Sequence, residues 1–179
     1  MTLALRALCG AALFLCPIQA LASPHGWSQA SSIARTIVVA SALGLPVLED
    51  DWNGALQAGE SVGAAFLVSE GLKQAFPEMR PDQSDRQSFP SGHTATAFAA
   101  AASLQNRYGW EVGVPAQLVA AFVGAARVQG RKHHWHDVAA GAVIGEAAGF
   151  LLTSRRDEGV RITPWAERRS AGIDLAMRF

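Results

Sequence analysis

Long runs of small and apolar residues fill most of this chain, and proline or glycine breaks divide them. Such breaks occur at Gly44-Leu45-Pro46, at Pro77 and at Pro90-Ser91-Gly92, while the alternation typical of strands is scarce before the C-terminal segment. Apolar runs that end at residues of this kind predict helices that bury one face against each other. At 179 residues the chain has room for one domain with a substantial core. We therefore predict an all-α fold.

Five core helices are predicted, and short connections between them indicate a compact helical bundle. They cover approximately Gln29–Leu45, Asp51–Phe76, Gly92–Tyr108, Pro115–Val128 and Trp135–Thr153. Either Asp50 or Asp51 can cap the second helix, because a carboxylate accepts hydrogen bonds from the free amides of a first turn. Near the C-terminus, alternating apolar residues predict one strand of a small β-hairpin that caps the bundle. They are Ile173, Leu175, Met177 and Phe179, and Val160 to Thr163 would form the partner strand.

The first 22 residues differ from the rest of the chain. Arg6 is their only charged residue, Ala7–Leu15 is an apolar run, and Ala20-Leu21-Ala22 ends the segment with small residues. This order is typical of a secretory signal peptide. A membrane-anchoring helix is the alternative, but Pro17 and Gln19 interrupt the segment before it reaches spanning length. We predict a signal peptide at 1–22 and an exported, periplasmic domain at 23–179.

Both cysteines of the chain, Cys9 and Cys16, lie in this first segment. The predicted mature domain therefore contains no cysteine, and core packing without disulfides must stabilise it. Lipid attachment at Cys16 is a minor alternative, because the preceding Leu15 is bulkier than the small residue expected at such a cleavage site.

Charge and hydropathy constrain the partners. Fifteen basic and fifteen acidic residues give a formal net charge of zero, so nothing indicates the basic face that nucleic acid requires. The uncharged apolar stretches Thr36–Leu48 and Val114–Ala126 are shorter than the roughly 20 residues that a membrane span needs. Glu146 in the middle of the fifth helix would be costly in lipid. We expect a bundle that is soluble or associated with a membrane surface.

Three polar clusters stand out among the apolar helices. They are Lys73 with Arg80-Pro81, then Pro90-Ser91-Gly92-His93, and then Arg127 with His133 and Asp137. Together they supply three fixed cations, a turn at a helix start and two histidines. This is the set of groups needed to hold a tetrahedral oxyanion. The two arginines can each offer forked, charge-assisted donors, and the lysine acts as a point charge.

The second cluster lies where a helix begins, so the backbone amides of Ser91 and Gly92 can face an anion. His133 and Asp137 are four residues apart, which would place them on one face of a helical turn. Asp137 can then orient the His133 ring so that its other nitrogen attacks phosphorus. His93 is placed to protonate the leaving oxygen. The residues thus predict phosphoester hydrolysis through a phosphohistidine intermediate.

These clusters resemble the signature of the type 2 phosphatidic acid phosphatase family, whose superfamily includes bacterial acid phosphatases and vanadium haloperoxidases. The signature has three parts: Lys, six residues, Arg-Pro; Pro-Ser-Gly-His; and Ser-Arg, five residues, His, three residues, Asp. All three parts occur in order, within about Gln57–Leu152. Two features depart from it: Ala126 replaces the serine before the arginine, and the spacer from Pro81 to Pro90 is short.

The resemblance implies a role for each matching residue. Lys73, Arg80, Ser91, Gly92 and Arg127 would bind phosphate, while His133 would be the nucleophile, Asp137 its orienting partner and His93 the acid. It also implies a metal-independent acid phosphatase or lipid phosphate phosphatase, so we expect no metal and no cofactor. The substrate is left open between a phosphorylated lipid and a phosphorylated small molecule, and the oligomeric state is not predicted.

Alternatives to this function come from two classes. A vanadate-dependent haloperoxidase uses the same cage, although this chain is short for one, and a catalytically silent phosphate-binding or membrane-associated protein would keep the fold. The run from His133 to Asp137 also contains His134 and His136, which suggest a metal site. We expect both to point away from the face of His133, and the nearby cations to repel a metal ion.

Overall fold

The computed structural model describes residues 23–156, 160–167 and 170–177, so the predicted signal peptide lies outside the described residues. Within this part the chain forms five helices and a two-stranded hairpin, which confirms the predicted all-α bundle. The helices are α1 (Pro24–Leu48), α2 (Trp52–Ala75), α3 (Gly92–Tyr108), α4 (Trp110–Gln129) and α5 (Trp135–Leu152). The strands are β1 (Val160–Glu167) and β2 (Ser170–Met177).

Two helices extend beyond their predicted ends. α1 begins at Pro24, five residues before its predicted start, and continues through Pro46 to Leu48, and α4 begins at Trp110, five residues before Pro115. Proline lacks an amide hydrogen and so removes an intrahelical hydrogen bond, which is why both prolines suggested a boundary. Each lies within two turns of a helix end, where burial of the neighbouring turns maintains the helix. Asp51, rather than Asp50, caps α2 by accepting from the Gly54 amide at 3.0 Å.

α3 is the central helix and packs against each of the other four. Its middle is alanine-rich and fully buried, with Ala97, Ala100 and Ala101 in the main apolar core. Small side chains let neighbouring helices approach closely, so the core gains its contacts from backbone proximity rather than from large residues.

A row of glycines on α5 makes the closest of these approaches. A Cβ atom at Gly145 would lie 2.3 Å from the Ala95 carbonyl oxygen, and one at Gly141 would lie 2.6 Å from the Ser91 carbonyl oxygen. Only glycine fits at such distances from a neighbouring backbone. The row therefore holds the first turn of α3, which carries part of the second polar cluster, directly against the second and third turns of α5.

The connection between α2 and α3 is tied to the connection between α4 and α5. Lys132 and Asp82 form an ion pair at 2.5 Å, and the Asp82 amide donates to the Arg131 carbonyl oxygen at 3.1 Å. These contacts hold the short spacer after Pro81 against the segment that carries His133. The third cluster is thereby brought to the same end of the bundle as the first two.

The C-terminal hairpin is antiparallel, with a register that runs from Val160 opposite Met177 to Glu167 opposite Ser170. This confirms the predicted small hairpin, whose first strand is longer than predicted. Its strands contact chiefly each other within the described residues. That the hairpin caps the bundle stays a prediction.

Candidate active site

The structure brings the three polar clusters together at one end of the bundle. Lys73, in the last turn of α2, has its Nζ atom 3.1 Å from the position a Cβ atom would take at Gly92. Arg80 has its Nη1 atom 3.4 Å from Nε2 of His133. Arg127 and His133 both act electrostatically on His93. All eight residues predicted for the site therefore belong to one neighbourhood.

His133 is the most enclosed histidine of this group, with a side chain only 2% exposed. Its Nδ1 atom lies 2.7 Å from the Ser88 carbonyl oxygen, a geometry in which Nδ1 donates the proton. Nε2 then carries the lone pair and faces Arg80. Burial, together with Arg127 and Arg80, lowers the pKa of His133 despite the opposing effects of Asp137 and Ser88. The ring is therefore neutral and has one nitrogen available as a nucleophile.

The relation between His133 and Asp137 differs from the prediction of a shared helical face. α5 begins at Trp135, so His133 precedes it, and Asp137 lies in its first turn as a capping residue. Oδ2 of Asp137 accepts from the His134 amide at 2.8 Å and from the Ser88 hydroxyl at 2.5 Å. It lies 3.6 Å from Nδ1 of His133. Asp137 thus acts on the His133 ring mainly through Ser88 and the helix cap.

Asp137 is fully buried and ionised. Burial alone would raise the pKa of its carboxyl group, but the neighbouring His133 ring, the Ser88 hydroxyl and the His134 amide together lower it. The Oδ1 atom has no hydrogen-bond partner among the described residues. One carboxylate oxygen therefore supports the site, while the other is buried without a hydrogen bond.

The start of α3 supplies fewer free amides than predicted. Ser91 caps the helix, but its own amide donates to the Asp137 carbonyl oxygen at 3.0 Å, and its hydroxyl accepts from Thr94. The Ser91 amide is therefore occupied in holding α3 to α5. Gly92 and His93 begin the helix, where the first amides have no intrahelical acceptor. These amides, rather than that of Ser91, are the backbone donors available to an anion.

Arg127 is a buried cation without a carboxylate partner among the described residues. Its side chain is 6% exposed, and Nη1 donates to the Ser28 hydroxyl at 3.0 Å, while Nε has no hydrogen-bond partner. Burial, Arg80 and Arg35 lower its pKa to about 10. Taking an unpaired charge out of water is expensive, so this guanidinium is suited to bind an anion that the described residues do not provide.

His93 lies opposite the same cations. Burial, followed by Arg127, Arg35, His133 and Lys73, lowers the pKa of His93 to about 3. Its Nε2 atom is 3.2 Å from the Ser32 hydroxyl. With these neighbours the ring is neutral, and a bound anion would raise its pKa by offsetting the surrounding positive charge.

The remaining two cations have carboxylate partners. Lys73 pairs with Glu70 at 2.5 Å, and Arg80 pairs with Asp85 at 2.6 Å through Nε, which leaves its Nη atoms toward His133 and the Lys132 carbonyl oxygen. Such pairs orient the cations without using all of their donors. Ala126, which replaces the serine of the family signature, is fully buried.

Sequence reasoning missed the contribution of α1 and of Ser88. Ser28 and Ser32 contact Arg127 and His93, and Arg35 acts on both. These three α1 residues are spaced by four and three positions, so they follow one face of an otherwise apolar helix. That polar stripe was the available signal. Ser88 had no comparable signal, since its role depends on the fold of the loop.

A second group of side chains lies beside the site. Glu78, His134, His136 and Asp137 each place one oxygen or nitrogen atom within 4.8 Å of the others, and these are the residues that could hold a metal ion. The sequence pattern predicts that His134 and His136 point away from His133, and it does not predict that they lie close to the carboxylates of Glu78 and Asp137.

The fold and the site together define a class: an all-α protein whose helices surround a cationic pocket with two neutral histidines, suited to bind an oxyanion. Comparison with protein families makes this specific, because the model of the PAP2 superfamily matches residues 54–160. The match covers more than half of the chain and contains all eight predicted site residues. The chain belongs to the PAP2 superfamily, as its three-part signature predicted.

Relatives with assigned names support this membership. The chain is 37% identical over 105 residues to a lipid A 1-phosphatase of Porphyromonas gingivalis, 33% over 86 residues to a lipid A 4'-phosphatase of Helicobacter pylori, and 40% over 97 residues to lipid phosphate phosphatase 2 of Arabidopsis thaliana. These alignments cover 55%, 48% and 46% of this chain. They span only 23%, 43% and 29% of the relatives' own lengths.

Two solved structures share the fold. LpxE of Aquifex aeolicus superposes with a TM-score of 0.61 at 22% identity, covering 70% of this chain and 82% of that one. A transmembrane PAP2 type phosphatidylglycerolphosphate phosphatase of Bacillus subtilis superposes with a TM-score of 0.56 at 24% identity, covering 83% and 82%. At these identities the likeness concerns the arrangement of helices.

Proposed function

We propose that this protein is a phosphoester hydrolase that forms a phosphohistidine intermediate without a metal ion. The observation that carries the proposal is the buried guanidinium of Arg127, which has a free Nε and no carboxylate partner among the described residues. A phosphate group is tetrahedral, and two of its negatively charged oxygens form the acceptor pair that a planar, forked guanidinium matches. Membership of the PAP2 superfamily and the phosphatase names of the relatives support the same reaction.

The proposed reaction begins when Nε2 of His133 attacks phosphorus in line with the leaving oxygen. The P–N bond forms as the P–O bond to the leaving group breaks, and His93 gives that oxygen its proton. Lys73, Arg80, Arg127 and the first amides of α3 stabilise the charge on the three equatorial oxygens. Water then cleaves the P–N bond, with His93 now accepting a proton, and phosphate leaves.

We propose that His93 becomes protonated when substrate binds, because the negative charge of the substrate raises the pKa of the ring. Burial and the neighbouring Arg127, Arg35, His133 and Lys73 lower its pKa to about 3. A phosphate dianion placed among these cations reverses the sign of the local field, so the ring becomes able to hold a proton. The acid is therefore assembled only when substrate is present.

We further propose that the substrate is a phosphorylated lipid, met at a membrane surface. The relatives are named for lipid A and lipid phosphates. Large apolar side chains are exposed on several helices, among them Leu48, Trp52, Leu67, Trp110 and Leu118. α1 and α4 are also long and apolar enough to cross a membrane, by length and composition. Length and composition are compatible with both a core helix and a span.

Export completes the proposal. Removal of residues 1–22 would leave Ser23 as the first residue, and Ser23 caps α1 by accepting from the Gly26 amide at 3.1 Å. The phosphatase domain would then comprise residues 23–179 and act in the periplasm.

The test is hydrolysis by the purified mature chain in excess chelator, on a panel that pairs lipid A and phosphatidate with a soluble phosphomonoester. We expect turnover to persist in chelator, orthovanadate to inhibit by occupying the cage, and lipid substrates to be preferred when presented in micelles. Loss of activity in chelator, with recovery on adding zinc or magnesium, would contradict the mechanism. A preference for the soluble ester would contradict the lipid assignment alone.

A further inference from the structure

Four potential metal ligands converge at the start of α5. The Oε1 atom of Glu78 lies 2.9 Å from Nε2 of His136 and 3.2 Å from Nδ1 of His134. Asp137 completes the group, with Oδ1 3.1 Å from Nε2 of His136 and Oδ2 3.4 Å from Nδ1 of His134. Four nitrogen and oxygen ligands bound tetrahedrally to zinc at about 2.1 Å lie about 3.4 Å from each other. The spacing of this cluster is close to that geometry before any ion is added.

A second, independent observation concerns the buried carboxylate of Asp137, which reaches this cluster from the protein interior. Asp137 is fully buried, and its Oδ1 atom has no hydrogen-bond partner among the described residues. Its other oxygen, Oδ2, already accepts from Ser88 and from the His134 amide. A buried carboxylate oxygen that accepts no hydrogen bond is costly, and the nearest group of the cluster, Nε2 of His136 at 3.1 Å, does not provide one. A cation bound there would satisfy it while leaving the Ser88 and helix-cap contacts intact.

We propose that Glu78, His134, His136 and Asp137 form a binding site for a divalent transition metal, with zinc as the ion that suits two imidazoles and two carboxylates. Three of the ligands reach solvent, His136 being 59% exposed, so an ion has a path of entry. Asp137 anchors the site from the interior. Calcium and magnesium are disfavoured because they prefer sites made of oxygen ligands.

The site is separate from the phosphate cage, although it shares Asp137 with it. The cage cations face Nε2 of His133, as the contact with Arg80 shows, whereas Asp137 and Ser88 lie on the Nδ1 side of that ring. The metal therefore binds behind the nucleophile, away from the substrate. It is not required for the proposed hydrolysis, and the two proposals fail independently.

The test is calorimetric titration of zinc chloride into the full mature chain, prepared without a polyhistidine tag and dialysed against chelator. We expect one zinc ion per chain, and no saturable binding of magnesium. Replacing His136 by alanine, or Glu78 by glutamine, removes an exposed ligand and should weaken zinc binding on the order of tenfold or more. His25→Ala is the matched control, because His25 is an exposed histidine on α1 that contacts Gln29 and lies outside the cluster.

Folding of each variant is checked by its far-UV circular dichroism spectrum and by cooperative thermal unfolding in chelator, which require neither a bound anion nor a bound metal. The proposal holds if both cluster variants fold like the parent protein and lose zinc, while His25→Ala binds zinc like the parent protein. It is overturned if the parent protein binds no zinc, if His136→Ala binds zinc unchanged, or if His25→Ala weakens binding equally. Turnover in chelator belongs to the proposed function and does not affect this result.

Discussion

Replacing Arg127 by methionine tests whether the pocket is built for an anion. The lowered pKa of Arg127, about 10 against an ordinary value above 12, corresponds to roughly 3 kcal/mol of unfavourable environment for the charged side chain. The replacement also loses the charge-assisted hydrogen bond to Ser28, which contributes about 1.5–3 kcal/mol. These effects nearly cancel. We expect the free energy of unfolding of the empty protein to stay within about 1 kcal/mol of the parent value.

Arg107 provides the comparison, because it is also largely enclosed but is paired with a carboxylate. Its side chain is 9% exposed, and it donates to both carboxylate oxygens of Asp51, at 2.7 and 2.5 Å. Arg107→Met leaves the buried Asp51 carboxylate without its partner, which should cost about 3–5 kcal/mol. Two substitutions of the same type, at two buried arginines, are therefore expected to differ strongly in stability.

The assay is thermal or denaturant unfolding of both variants, with and without orthovanadate. At a vanadate concentration of about 100 times the dissociation constant, the parent protein should gain about 2.7 kcal/mol. Arg107→Met should keep this gain, whereas Arg127→Met should lose it, together with most turnover. If Arg127→Met is destabilised as much as Arg107→Met and still responds to vanadate, Arg127 is a structural residue and the reasoning is refuted.

Three further outcomes are expected. The surroundings of His93 lower its pKa to about 3, and a bound dianion raises it, so vanadate binding near pH 6.5 should take up as much as about one proton. Calorimetry in buffers of different ionisation enthalpy measures this uptake, and His93→Ala should abolish it. Equal uptake by the variant would contradict the assignment of His93 as the group that is protonated. Gly145→Ala should destabilise the protein by about 1–3 kcal/mol, since its Cβ atom would lie 2.3 Å from the Ala95 carbonyl oxygen. Gly44→Ala, whose Cβ atom would have no atom within 4 Å, should stabilise the protein by about 0.5–1 kcal/mol. Similar unfolding midpoints for the two variants would argue against close packing of α3 on α5. N-terminal sequencing of the periplasmic fraction should find a chain that starts at or near Ser23, and an intact Met1 would overturn the proposed export.

Most of the bundle could be predicted because local signals mark the ends of its helices. Pro77 follows α2, the turn before Gly92 begins α3, and charged residues follow α5 at Leu152. The start of α4 and the end of α1 could not be predicted in this way, because packing of the neighbouring turns outweighs the tendency of Pro115 and Pro46 to end a helix.

Some features of the site could likewise be predicted from the sequence, and others could not. Its charged residues could be predicted from spacing, since a phosphate cage requires those residue types in any arrangement. The contacts of α1 could not, because they depend on how α1 packs against α4, where Trp27 meets Phe122. The function of Asp137 as a helix cap was accessible from its place three residues after His134, but the i,i+4 spacing to His133 suggested a helical face instead.

Rapid alkaline quench with nitrophenyl phosphate tests the central claim most directly, because the P–N bond survives in alkali and the trapped label shows which histidine carries the phosphoryl group. His133→Ala removes the nucleophile, so no phosphohistidine should be trapped and turnover should collapse on every substrate. His93→Ala removes only the proton donor, so a natural ester should lose roughly 10²- to 10⁴-fold in rate. Nitrophenolate leaves without that proton, and this variant should still trap phosphohistidine. Label on His93, or equal losses for both variants on both substrates, would contradict the account.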